Sequence, residues 1–323
     1  AGSELLKDHT SKQGVGNYGL LDQMMAVEWV KRHIGAFGGD PDDITIMGHS
    51  AGAMSVSYLQ LIRPDLAQKW ILLSGTSIGW KHRMADSDFE DQVWQRFAEH
   101  VKCAPDDIQC MRAVPVGHLI TAGSVLRADY LFGPTIDNDL IKADPFNLLQ
   151  QQNQASVGPT LLTTVKDEAT IFIGDLVRTP DDFERLSAAF FNDHPKRDHI
   201  LRGLHTHYTI AKYGTAFQAA SQAITDAMFV CPASLYCSSL RANHSKCYVT
   251  EFDHPMVAPS IATSMTLAKD YGVFHGSDLV ILFNFSPFIT FPSREQATEM
   301  RLGLERFIRF GSPLGDDPLD TFW

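Results

Sequence analysis

The sequence predicts an α/β fold with a mostly parallel central sheet and helical insertions. Two observations predict it. Short β-branched or apolar runs are followed again and again by helix-length amphipathic patterns. One such run also passes through a Gly-x-Ser-x-Gly turn straight into a helical pattern. A length of 323 residues allows one large α/β domain or two ordinary ones. The sequence has no internal repeat, low-complexity tract or Gly/Ser linker.

The elements follow in order. Leu20, Met24, Val27, Val30 and Ile34 recur at helical spacing and predict an amphipathic helix from about Leu21 to Ile34. Gly35, Gly38 and Gly39 stop it, and Asp40-Pro41-Asp42 makes a turn. Ile44-Thr45-Ile46-Met47 is a short buried strand running into Gly48-His49-Ser50-Ala51-Gly52, after which Met54, Tyr58 and Leu61 mark a second helix. Further strands are expected at Trp70–Leu73, Thr160–Val165 and Cys247–Phe252. Ser293 and Gln296 form a capping-box pattern before a helix expected to bury Met300, Leu304, Phe307 and Ile308 and to stop at Gly311 and Pro313. Between about Asp86 and Leu149, and from Phe172 to Tyr236, helical patterns and loops dominate and read as insertions on the sheet scaffold.

Composition narrows the classes. A hydrophobic fraction of 44% with 20% charged residues is ordinary for a globular chain and excludes disorder, collagen-like repeats and coiled coils. The net charge of −11 argues against a general nucleic-acid binder, which needs a basic surface to displace counterions. No stretch reaches the roughly 18 apolar residues of a membrane span. The best one, Leu279 to Phe291, is interrupted by Asn284, Ser286 and Pro287. Ala1-Gly2-Ser3-Glu4 does not open a signal peptide and there is no initiator Met, so the start reads as a processed, truncated or engineered end.

The five cysteines leave two readings open. One is a set of buried thiols in a cytosolic protein. The other is two short loops closed by disulfides, with one cysteine over. Cys103 and Cys110 bracket one polar loop, Cys237 and Cys247 flank another polar segment, and Cys231 remains. Two acceptor sequons, Asn243-His244-Ser245 and Asn284-Phe285-Ser286, favour an extracellular glycoprotein.

The chemistry centres on serine. Two Gly-x-Ser-x-Gly pentapeptides occur, where roughly 0.1 is expected by chance in this length. The motif serves a nucleophile because a sharp strand-to-helix turn exposes the serine, small neighbours let the backbone close around it, and the helix N-terminus faces the developing oxyanion. Ser50 meets these demands: a strand precedes it and Ala51-Gly52-Ala53 opens a helix. Ser77 carries bulky Ile78 within its turn and runs into Trp80-Lys81-His82-Arg83, a poor helix start, so it reads as a loop serine.

A serine hydroxyl needs a base, and the base needs an orienting acid. Glu168 lies just past the strand Leu161–Val165, at the carboxyl end where open α/β sheets place their sites, with Asp167 as its local rival. Among 13 histidines, His275 sits in the apolar stretch Gly272–Gly276 after the last strand. No metal is expected: His205-Thr206-His207 is a lone pair without a third ligand and reads as a surface feature.

Asn17-Tyr18-Gly19-Leu20-Leu21-Asp22-Gln23, Phe37-Gly38-Gly39-Asp40-Pro41, Gly48-His49-Ser50-Ala51-Gly52, Lys166-Asp167-Glu168 and His275-Gly276 together resemble the type-B carboxylesterases and cholinesterases, from about Gly14 to Phe310. The resemblance implies an α/β-hydrolase fold with Ser50 as nucleophile, Glu168 as acid and His275 as base. The Ala51 amide would be an oxyanion donor and Ser74 the serine that supports the acid. Trp80, Tyr130 and Phe132, with His49, would contact substrate. Cys103 and Cys110 match a family disulfide. Cys231-Pro232 matches a cysteine whose family partner lies beyond this chain. The family's His-Gly-Gly oxyanion loop, first strands and C-terminal segment likewise fall outside it, so the resemblance implies a single, incomplete domain over 1–323.

Where cholinesterases place glutamate before the nucleophile, this chain has His49, which favours a general carboxylesterase. The expected activity is hydrolysis of small-molecule carboxylic esters through an acyl-enzyme, without cofactor, in a secreted or extracellular setting. Expected partners are a second copy of the chain or the complementary segment of the same protein. The alternative is a cholinesterase-like adhesion or recognition domain, but that class commonly loses a triad residue and this chain keeps all three.

Overall fold

The computed structural model describes residues 16–78, 87–126, 133–137, 139–151, 157–190, 196–254, 271–283 and 294–315. Four strands are β1 (Thr45–His49), β2 (Lys69–Leu73), β3 (Thr160–Val165) and β4 (Cys247–Phe252). The helices begin with α1 (Tyr18–His33), α2 (Ala51–Ile62), α3 (Ser87–Val101), α4 (Ile108–Ala113), α5 (Val116–Leu126), α6 (Pro145–Gln151) and α7 (Thr170–Ile173). They continue with α8 (Pro180–Phe190), α9 (Arg197–His207), α10 (Ile210–Tyr213), α11 (Ala216–Thr225), α12 (Cys231–Ala242), α13 (Ser277–Leu282) and α14 (Arg294–Phe310). Contacts divide the chain into two compact units. One takes the described residues within Ala1–Ile44, Tyr58–Leu66 and Trp80–Gln154; the other takes those within Thr45–Ser57, Ala67–Gly79 and Ala155–Trp323.

The first unit is helical. In α1, Leu20 and Met24 are buried and Val27, Val30 and Ile34 are half-buried, so the expected stripe does face the packed side. The helix starts at Tyr18, earlier than expected, because buried Asn17 turns the chain in the left-handed region at φ 58°. Its side chain holds that corner: Nδ2 donates to Thr135 O at 2.8 Å and Asp137 Oδ2 at 2.9 Å, and Oδ1 accepts from Thr135 N at 2.8 Å. Lys31, Arg32 and His33 fill the last turn, where cations complement the helix dipole. In the same unit a disulfide joins Cys103 and Cys110, and Cys103, Ala98 and Met111 form a small core with Trp94 packed on it.

The second unit holds the sheet. All pairings are parallel, in the order β1-β2-β3-β4. Strands β2 and β3 are buried at every residue, which is why, after Lys69, they read in sequence as runs of apolar residues and threonine. The edge strands differ: β1 exposes Met47 and β4 exposes Val249. Fully buried Trp70, Ile71, Leu72 and Leu73 each contribute about 1.5–3 kcal/mol of burial. Phe307 of α14 packs with Ile71, Leu73 and Leu161 on one side of the sheet. Ile308, expected to be buried with it, is 40% exposed. A residue next to Phe307 is turned by about 100° round the helix and leaves the packed side. Ser293 of the expected capping box lies outside the described residues. Cys237 on α12 and Cys247 at the start of β4 are joined by a second disulfide, and Cys231 is free.

Candidate active site

Every strand of a parallel sheet ends on the same side, and that is where the site residues of the second unit collect. Strand β1 ends at His49, and Ser50 follows in the left-handed region at φ 56°. A non-glycine residue there stores roughly 1–3 kcal/mol of strain, held by its surroundings. Ser50 N donates to Leu73 O at 2.9 Å, and Ser50 O accepts from Met54 N at 3.0 Å as α2 begins. The turn is tight enough that a Cβ on Gly48 would lie 2.3 Å from the backbone of Gly52. Ala51 is the first residue of α2, so its N–H is one of the helix amides without an intrahelical acceptor.

Three residues past β3, Glu168 is fully buried. Its Oε1 accepts from Val165 N at 2.9 Å and its Oε2 meets His275 Nδ1 at 2.5 Å. With Nδ1 engaged by Glu168, Nε2 is the remaining ring nitrogen, and it is buried without a hydrogen bond. Asp167, the rival acid, is occupied otherwise. Its Oδ2 accepts from Val273 N at 2.8 Å, its own N donates to Val273 O at 3.0 Å, and burial pushes its carboxyl up. Thr170 Oγ1, within reach of Asp167 O at 2.7 Å and Tyr271 O at 2.8 Å, braces the same junction. The acid-bearing and histidine-bearing segments are thus stitched together beside the Glu168–His275 pair.

His275 is ringed by aromatic side chains. The His49 ring lies 4.6 Å away, Phe172 4.9 Å and Phe229 5.2 Å, centroid to centroid. Burial and the neighbouring His275 lower His49 to about 4, so it is neutral at neutral pH. Asp278, on the first turn of α13, is fully buried, and burial together with Glu168 raises it to about 6.

Ser50, Ala51, His49, Glu168 and His275 gather at the carboxyl ends of β1 and β3. Ser74 follows β2, buried at φ 53°, but its Oγ makes no hydrogen bond, so the expected support of Glu168 is not seen. Trp80, Tyr130 and Phe132 lie outside the described residues. No cluster of metal-ligating side chains occurs among the described residues. Phe172, Phe229 and Asp278 are not marked by any motif. The only signal for Asp278 is its place three residues after His275, and nothing local marks either phenylalanine.

Residues 6–323 match the Carboxylesterase family, and the chain belongs to that family. Its residues are 31% identical to human bile salt-activated lipase over 349 aligned positions, covering 95% of this chain and 44% of the lipase. Gut esterase 1 of Caenorhabditis briggsae is 35% identical over 199 positions, covering 55% of this chain and 34% of that protein. The crystal protein of Dictyostelium discoideum is 26% identical over 330 positions, covering 95% and 57%. The chain therefore spans about half the length of the curated relatives it matches, or less. Its parallel sheet and many helices are those of an α/β-hydrolase, the fold class expected from the sequence.

Proposed function

We propose that the protein carrying this chain hydrolyses carboxylic esters through an acyl-enzyme on Ser50. The observation that carries this reading is the buried Glu168–His275 pair, at the strand ends that also present Ser50 on a strained turn, in a member of the Carboxylesterase family. His275 Nε2 takes the Ser50 proton as Oγ attacks the ester carbonyl. Glu168 holds the tautomer and stabilises the imidazolium that forms. The Ala51 N–H faces the oxyanion, a contribution of roughly 2.7–4 kcal/mol per donor. The tetrahedral intermediate expels the alcohol, which His275 protonates, and water then releases the acid by the same route.

The substrate is an uncharged ester rather than a choline ester. Position 49, beside the nucleophile, is a histidine that burial keeps neutral, where a carboxylate would attract a cationic alcohol. The names of the relatives, a lipase and an esterase, fit that class. Two disulfides, stable in an oxidising compartment, support secretion. The test is labelling of the full-length protein with a fluorophosphonate probe. Label on the wild type and none on Ser50→Ala is expected. No label, or label that Ser50→Ala leaves unchanged, rules the reading out.

A further inference from the structure

We propose that Phe229, brought inward by a π-helical turn, is a positioning residue that holds the plane of the His275 imidazole. This rests on the assignment of His275 as the base. His275 makes one hydrogen bond, through Nδ1 to Glu168, and its Nε2 makes none. One bond fixes a point on the ring but not its plane, because the terminal torsion of histidine is broad. Whatever fixes the plane decides where Nε2 points.

Packed rings supply that constraint. Phe172 and Phe229 stack on each other at 6.2 Å with their planes 6° apart, and both lie tilted against His275, at 55° and 51°. These separations fall in the range where aromatic pairs attract beyond simple burial. The two phenylalanines differ in access. Phe172 is 53% exposed and can meet a substrate directly. Phe229 is 2% exposed, so it acts only through the rings it touches.

The backbone explains how Phe229 arrives there. Helices α11 and α12 are continuous except for five residues, Asp226–Val230, wound as a π-helix. An extra residue in a turn rotates the following side chains by about 100° relative to an unbroken α-helix. Pro232 favours the wider turn, since in an unbroken α-helix its ring would clash with the carbonyl of Met228 four residues before it. The turn is tied down at its start. Thr225 Oγ1 accepts from Ala169 N at 3.1 Å, next to Glu168, and Asp226 accepts from Gln222 Nε2 at 2.8 Å and Tyr208 OH at 2.7 Å. The acid, the π-turn and the ring that packs on the histidine therefore form one connected unit.

The experiment compares Phe229→Leu and Phe229→Ala in the full-length protein. Leucine refills most of the volume but has no flat face. The expected result is a thermal midpoint near wild type for Phe229→Leu, with kcat at least about fivefold down and KM within about twofold. Phe229→Ala is expected to lose about 10- to 100-fold in kcat. Phe172→Ala, at the exposed ring, should move KM and acyl preference instead. A low-field NMR resonance of His275 Nδ1–H, sharp in wild type and broadened in Phe229→Leu, gives a readout that needs no turnover. If turnover independent of Ser50 overturns the hydrolase reading, that resonance still decides the role of Phe229. Wild-type kcat together with an unchanged resonance in Phe229→Leu overturns the proposal.

Discussion

Strands β1 and β2 lie side by side in register, His49 beside Leu73, and each runs into a Gly-x-Ser-x-Gly pentapeptide. In the first, the motif serine is the residue immediately after the strand, strained at φ 56°, and α2 starts at once behind it. In the second, the residue in that place is Ser74, at φ 53°, and the motif serine Ser77 comes three residues later. Ser77 is fully buried with its N donating to Ser57 Oγ at 2.5 Å, and the next described helix begins only at Ser87. Two copies of one pentapeptide thus differ in phase relative to the strand end. Phase, not composition, puts a serine on the turn that feeds a helix N-terminus. In the second copy Gly75 packs against the first instead: a Cβ there would lie 2.6 Å from Ser50 O.

The largest expected effect tests that contrast directly. On the proposed reading, Ser50→Ala should lower kcat for a simple aryl ester by about 10⁶-fold, the loss that removing the nucleophile causes in serine proteases, whereas Ser77→Ala should leave it within about twofold. Comparable losses from both would erase the distinction. Next in size is the steric lock on the first turn. Gly48→Ala drives a methyl into the Gly52 backbone and should destabilise by about 3 kcal/mol or more. Gly52→Ala, with open space around it, should stay within about 1 kcal/mol; both are read from urea midpoints.

The smallest effect concerns His49, which sets the first turn apart electrostatically. Its folded value of about 4 lies below the ordinary 6.5, so the folded state binds the proton less readily than the unfolded chain. The stability this provides is present above pH 6.5 and is lost as pH falls towards 4. Roughly 1–3 kcal/mol is at stake. His49→Gln should flatten the dependence of the urea midpoint over that window, and an unflattened profile would remove His49 as its source.

Much of the scaffold is legible in the sequence. All four strands sit within a residue or two of their expected ends: β2 and β3 because strands buried at every residue read as unbroken runs of apolar and β-branched residues, β1 and β4 because their short runs stop at turn signals. The stripe of α1 and the helix behind Ser50 are legible because helical period and burial coincide there. Ile308 shows the limit, since its type suits burial but its angle on α14 does not. The choice between Glu168 and Asp167 shows another. They are adjacent carboxylates after the same strand; spacing alone does not separate them, the family resemblance points to Glu168, and the partner each side chain finds, His275 for one and the Val273 amide for the other, gives the physical difference.

The sequence by itself determined the α/β class, the strand that carries Ser50, and the short list of acids and bases, because each is written in local spacing and residue type. Tertiary structure alone decided that Asp167 is taken up by the Val273 backbone, and that Cys237 pairs with Cys247. It also decided that Phe229 and Phe172 close around His275, and that Ser77 is buried. The reason is physical: period and propensity act over a few residues, whereas a hydrogen bond or ring contact between segments far apart in the chain exists only once the sheet has set their separation.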